Sequence, residues 1–131
     1  MCFIGGGAGM APLRSHILHQ LTTLKTKRKI TFWYGARSKL ELFFEQEFMD
    51  LEKKHENFSF FVALSQPKSE DNWEGMTGYI HECVHDHYLS QHEDPTEVEY
   101  YLCGPPVMID AIEDMLDSLG VEPEMISYDK F

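Results

Sequence analysis

Positive charge is scarce in this chain. Lys and Arg together number 11 against 22 Asp and Glu, leaving a formal charge of −11 with the histidines neutral. A surface that grips DNA or RNA needs clustered cations to displace phosphate counterions, so nucleic acid is a poor partner. Long apolar runs are missing too. Nothing approaches the roughly 18 unbroken residues of a membrane-spanning helix, and no charged segment followed by an apolar run opens the sequence. The expectation is a chain that neither inserts into a membrane nor is secreted. Cys2, Cys83 and Cys103 are few, odd in number and far apart, which fits thiols in a reducing compartment better than a disulfide frame. Internal repeats and low-complexity segments are absent. What is present suffices for a core: 43% of the 131 residues are hydrophobic, as a single folded domain requires.

Short apolar runs alternate with longer amphipathic stretches, the rhythm of βα units and a parallel sheet. The runs Cys2 to Ile4, Ile30 to Tyr34, Phe58 to Leu64, Val98 to Cys103 and Met125 to Tyr128 predict five strands. Between them, helical spacing places Leu13, Ile17, Leu21 and Leu24 on one face from about Pro12, and Phe44, Phe48 and Leu51 on another over Leu40 to Lys54. A third helix should bury Ile80, Cys83, Val84 and Tyr88, and a fourth runs from Pro106 to Leu119, closed by Gly120. Lys25, Lys27, Arg28 and Lys29 read as a solvated helix end, and Gln66 to Gly78 as a loop with Trp73 at its centre. The first strand begins almost at residue 1 and the last ends three residues before the terminus, as in a domain cut from a longer chain.

The most informative segment is Gly5-Gly6-Gly7-Ala8-Gly9-Met10-Ala11-Pro12, which lies between a strand and a helix. Missing Cβ atoms let the backbone turn sharply and approach a diphosphate, while the helix presents free N–H groups. It is neither the common dinucleotide fingerprint, since Pro12 replaces its third glycine, nor a P-loop, since no G-K-S/T follows. The second signal is Cys103-Gly104-Pro105-Pro106 after the fourth strand. Ligands of open parallel sheets bind beyond the carboxyl ends of the strands where strand order reverses, and strands one and four flank that point.

Together these two segments resemble the ferredoxin-NADP reductase superfamily, with its G-x-G-x-x-P loop and C-G-P motif. Phe32-Trp33-Tyr34-Gly35-Ala36-Arg37-Ser38, Asp71-Asn72-Trp73 and Tyr100-Tyr101-Leu102-Cys103 bring the resemblance closer to the F-subunit family of the bacterial sodium-pumping NADH:quinone oxidoreductases. The resemblance implies a Rossmann-like five-stranded parallel sheet in the order 3-2-1-4-5. It covers residues 1–131 as the NADH-binding domain of a longer flavoprotein. FAD and a 2Fe-2S cluster would sit on flavin-binding and ferredoxin-type domains outside this chain, at the cytoplasmic face of the bacterial inner membrane. Other subunits of the complex would carry electrons on to quinone. By the same resemblance Gly6, Gly7, Ala8, Gly9, Met10 and Pro12 form the pyrophosphate turn, and Arg37 and Ser65 lie on the adenosine side. Gly104 and Pro105 then border the nicotinamide, Cys103 sits beside its C4, and Asp129 and Phe131 match an acidic-x-aromatic ending whose ring covers the flavin. The loop after Ser65 has one lysine against two carboxylates, which leans toward NADH, although Arg37 could hold a 2′-phosphate.

Other readings stay open at this level. A flavin reductase or oxygenase reductase would share the domain without the quinone partner, and a nucleotide-sensing module would bind without turnover. A zinc hydrolase is the third. His81-Glu82-Cys83-Val84-His85 satisfies H-E-x-x-H, but such a helix needs a third ligand and a cleft. With Cys83 and Val84 on the buried face, His81 and His85 are expected toward solvent, and no metal ligand is assigned. Asp110, Glu113, Asp114 and Asp117 follow the outer face of the last helix.

Overall fold

In the computed structural model, which describes residues 1–7 and 10–130, strand β1 (Cys2–Gly6) leads into helix α1 (Met10–Leu18). Ala8, Gly9 and Phe131 lie outside the described residues, as do the side chains of Asp129 and Lys130. The chain continues through β2 (Ile30–Ala36), α2 (Glu45–Lys54), β3 (Phe58–Leu64), β4 (Met76–Thr77), α3 (Ile80–His87), β5 (Tyr100–Gly104), α4 (Pro106–Ser118) and β6 (Ile126–Lys130). The strands pair in the order β4-β3-β2-β1-β5-β6, all parallel. Succession runs outward from β1 through β4, then restarts at β5 on its other side, so order reverses between β1 and β5.

Side chains that alternate along β1 seed two cores. Phe3 faces α1 and α2, where it joins Leu13, Ile17, Phe32, Phe48 and Phe60. Cys2 and Ile4 face α3 and α4 with Trp33, Ile80, Val84, Ile109 and Leu116. With a helix layer on each face, β1 is buried from end to end, and its sequence is correspondingly free of polar residues. Arg14 of α1 and Glu47 of α2 clasp across the first face at 2.7 and 2.8 Å. Both are about one-third exposed, so solvent screening leaves this pair a minor contributor to stability.

The expected fold class holds, and the order 3-2-1-4-5 is that of the five longer strands. Four local expectations are corrected. A sixth strand, β4, forms inside the segment read as a loop: Trp73 Nε1 donates to Met76 O at 2.7 Å, and Met76 and Thr77 pair with Ala63 and Leu64. Two residues are too few to show a period. The helix expected from Leu40 starts only at Glu45, because a short 3-10 turn (Lys39–Glu41) gives way to a left-handed Phe44 at φ 60°. Phe44 is therefore half-exposed, its ring 4.6 Å beneath the Arg14 guanidinium. Helix α1 begins at Met10 rather than Pro12, since a proline fits anywhere in a first turn that leaves its N–H groups unbonded. Tyr88, expected on the buried face of the third helix, lies just past its end and is half-buried.

Burial also sets how the fold responds to alkali. It pushes the Cys2 thiol up to about 12. Tyr101 also rises to about 12, through burial first and then through the Glu99 carboxylate that accepts its hydroxyl. Burial raises Tyr34, Tyr88 and Tyr100 as well. The unfolded chain loses these protons first, so stability present below pH 9 drains away as pH rises through 9 and 10. For Cys2 the loss is roughly 1.4 kcal/mol per pH unit. Urea midpoints should fall steeply between pH 8 and 10.5, and Cys2→Ala should flatten that slope; equal slopes would remove Cys2 from the account.

Candidate functional site

Beyond the carboxyl ends of β2, β1 and β5 the backbone is nearly bare. Register sets Gly6 against Gly35 and Gly5 against Cys103, so these three strand ends stand level. A Cβ on Gly6 would lie 2.9 Å from Gly35 O and 2.7 Å from Met108 Sδ, so only glycine allows this approach. Gly7 then turns at φ +60°, a conformation that glycine adopts at no steric cost, with open space where a side chain would be. Met10 starts α1 with its side chain buried, and the first turn carries no acidic residue to offset the positive end of the helix. Pro12 is exposed in that turn.

Tyr34 braces this turn from below. Its ring is fully buried, and its hydroxyl accepts the Phe43 N–H at 3.0 Å. The phenolic oxygen lies 3.5 Å from Gly7 O and 3.4 Å from Glu41 O, tying the glycine turn to the segment after β2. Burial holds its pKa above the usual tyrosine value, so the donor is retained.

On the β2 side a hollow of about 350 Å³ is lined by Arg37, Ser38, Leu40, Glu41, Gln66 and Lys68. Glu41 grips Arg37 closely: Oε1 accepts both the Arg37 backbone N–H and Nε at 3.1 Å, and Oε2 accepts Nε at 3.0 Å. Asp71 is engaged as well, its Oδ2 taking the N–H groups of Lys68 at 2.9 Å and Lys39 at 3.3 Å. Ser65 sits at the rim, held by its N–H to Ala36 O.

On the β5 side Cys103, 1% exposed, lines a groove of about 340 Å³ with Pro12, His16, Tyr101 and Tyr128. Asp129 is its register neighbour on β6. The Met108 thioether lies against both Gly6 and Gly104, bridging the ends of β1 and β5, and Pro105 and Pro106 open α4 beside it. The site residues expected from sequence thus fall along one edge: Arg37 and Ser65 on one wing, Gly6, Gly7 and Met10 at the centre, and Cys103, Gly104, Pro105 and Pro12 on the other. Ala8, Gly9 and Phe131 are outside the described residues. The glycine-lined crevice lies at the point of strand reversal, the place where open parallel sheets take their ligands.

Residues 3–114 match the oxidoreductase NAD-binding domain family. The chain belongs to that family. It is 58% identical over all its residues to the F subunit of the Na(+)-translocating NADH-quinone reductase of Mannheimia succiniciproducens, while covering 32% of that protein. This NAD-binding domain therefore spans about a third of that relative's length. Among solved structures, the ferredoxin reductase in carbazole 1,9a-dioxygenase matches with a TM-score of 0.75 and 28% identity, over 99% of this chain and 37% of that one. The CS-b5R domains of human Ncb5or (NAD+ form) share the fold at a TM-score of 0.84 and 21% identity, over 97% and 35%.

Sequence reasoning missed Tyr34, Glu41 and Met108. Only Tyr34 left a signal, a phenolic hydroxyl near the carboxyl end of a mostly apolar strand. Trp73 points its N–H back into its own loop rather than toward the crevice. His81 and His85 lie one turn apart on α3, but among the described residues no three His, Cys, Asp or Glu side chains converge as metal ligands. Nor is any helix among them long and apolar enough to cross a membrane.

Tyr34→Phe leaves the ring in place and strips the Phe43 N–H of its acceptor. Stability should drop by about 1–3 kcal/mol, the usual cost of a buried unpaired group. Amide exchange at Phe43 should accelerate selectively; exchange and stability both unchanged would show the brace to be unimportant.

Proposed function

We propose that this NAD-binding domain is the NADH-holding third of a longer flavoprotein, which presents nicotinamide to a flavin on a neighbouring domain. The observation that carries this reading is that the Arg37–Glu41 hollow and the Cys103 groove flank the bare Gly6–Gly7 strand end on its two sides, at the same edge of the sheet. The residues present fit a dinucleotide: open space over Gly7 suits a pyrophosphate, and the helix end behind it carries no opposing acid. Two strand spacings of about 4.8 Å each separate the wings, a distance an extended dinucleotide bridges.

When bound, NADH supplies a hydride for the flavin. The chain's own residues do the positioning. Backbone N–H groups of Gly7 to Met10 hold the pyrophosphate, and Tyr34 fixes the turn that carries them. Cys103 and Gly104 provide a flat, compact wall for the nicotinamide, where side-chain bulk would push the ring out of line. By the family resemblance Asp129 and Phe131 would belong to the flavin side of the site, where the aromatic side chain would compete with nicotinamide. FAD and the 2Fe-2S cluster belong to other domains in this reading; Cys2, Cys83 and Cys103 are each buried at different places in the fold. The name of the relative, a Na(+)-translocating NADH-quinone reductase subunit, supports an onward path to quinone in a larger complex; placement at the cytoplasmic face of the membrane is part of the same proposal.

Preference for NADH rests on Glu41. A 2′-phosphate entering the hollow meets a carboxylate already bound to the one arginine there. Calorimetry should show NADH binding more tightly than NADPH, with Glu41→Gln narrowing the gap by about fivefold. Equal affinity in the parent chain would overturn the preference. In the full-length flavoprotein, Cys103→Ala should slow single-turnover flavin reduction while nucleotide affinity stays close to the parent value; an unchanged rate would reject its assignment beside nicotinamide.

A further inference from the structure

Six of the 11 cationic residues, Lys25, Lys27, Arg28, Lys29, Lys53 and Lys54, fall in two short stretches. One follows the π-turn His19–Thr23 that extends α1, and the other ends α2. Both lead into strands that pair side by side, β2 at Ile30 and β3 at Phe58. The two stretches therefore meet at the amino ends of the strands, at the opposite edge of the sheet from the glycine turn. Between them lies a hollow of about 610 Å³ whose lining includes Lys25, Lys27, Lys54, His55, Glu56 and Asn57.

Hydrogen bonds fix the frame of this hollow. Asn57 Nδ2 donates to Thr26 O at 3.0 Å and to Arg28 O at 2.8 Å, and Asn57 O accepts the Ile30 N–H at 2.8 Å. One residue thus locks the loop that carries Lys25 and Lys27 to the segment that follows Lys54. Cations at a single helix end are ordinary, since they offset its negative pole. Here two sets converge, and among the described residues none of Lys25, Lys27 and Lys54 is in an ion pair, whereas Arg14, Arg28 and Arg37 each hold a glutamate. Acidic residues outnumber cationic ones 22 to 11, yet Glu56 alone of the described carboxylates lines the hollow.

We propose that this hollow binds a small anion of the polyphosphate class. Like charges held around one concavity repel each other, and a ligand of several negative charges relieves all three lysines at once. Ammonium groups act as point charges toward phosphate oxygens and need no planar partner. The volume lies within the about 300–1,000 Å³ of ordinary ligand pockets, so a single phosphate leaves most of it empty. A broad acidic protein face is the poorer fit, because the net charge of −11 repels it while a compact anion touches the cluster alone. The hollow shares no lining residue with the two wings of the crevice, so this assignment stands apart from the proposed function.

Inorganic tripolyphosphate is the probe, followed through amide shifts in a ¹H–¹⁵N spectrum of the full chain at low salt. The amides of Thr26, Lys27, His55 and Asn57 should shift saturably, with a Kd on the order of 0.1 mM. Orthophosphate should bind about tenfold more weakly, and salt at roughly 200 mM should weaken tripolyphosphate to a similar degree. The double variant Lys25→Gln, Lys54→Gln removes two exposed charges and keeps the bonds of Asn57, and its affinity should fall about tenfold. Equal affinity in that variant would overturn the proposal, as would shifts centred on Gly7, which would put the anion in the crevice. Weak, unsaturated shifts that also spread to Lys39 and Lys68 would mean an adventitious ion only and would overturn it too. A polyglutamate peptide that binds as tightly as tripolyphosphate would give the patch to an acidic protein instead.

Discussion

The close approach of bare backbone at the ends of β1 and β2 is the constraint on which the crevice depends. Gly6 and Gly35 face each other with no room for a single added carbon, and the Met108 thioether occupies the space that remains. That approach lets β1 stop level with its neighbours, so that the turn at Gly7 opens over the sheet edge. Tyr34 then reaches the turn from within the core, and α1 can start immediately beyond it. Had β1 carried side chains to its end, the strands would have splayed and the helix would have begun elsewhere.

A charge of −11 works against anion binding wherever side chains supply the attraction. The arginines on this side are occupied: Arg14 is clasped by Glu47 and Arg37 by Glu41. At the glycine turn itself an anion would be attracted chiefly by the main chain, through N–H groups that need no side-chain charge and carry the same polarity at any pH. In the proposed reading Glu41, which pairs with Arg37, also filters what enters, because an additional phosphate would find its natural partner taken. Acidic composition and anion binding are thus compatible through a division of labour between side chain and backbone.

The parts of this architecture that repeat were legible in the sequence. β3 was delimited at both ends, Phe58 and Leu64, because a continuous apolar run between polar segments has one simple reading. The glycine turn and the Cys103-Gly104-Pro105 segment were legible because their chemistry is carried by residue type. What escaped were features made by meetings of distant residues. Nothing in the sequence singles out Glu41, which pairs with Arg37 only because the backbone after β2 curls back on itself. Nothing local marks Met108 as the residue between two glycines on separate strands. The break before α2 was hidden because Phe44 continues the helical period of Phe48 and Leu51 while its own backbone is left-handed.

Parallel pairing of β1 with β5 joins Cys2 to Tyr100, near opposite ends of the domain. During synthesis β1 is the first of these strands to emerge and can pair with β2 early, but its other edge stays open until most of the domain has been made. That edge belongs to a strand buried along its whole length in the finished sheet, so the nascent domain exposes an adhesive border for most of its elongation. Closing so long a loop makes folding slow relative to a chain built on local contacts. The same central placement of β1 that creates the crevice thus leaves the unfinished domain open to edge-to-edge aggregation while it is being made.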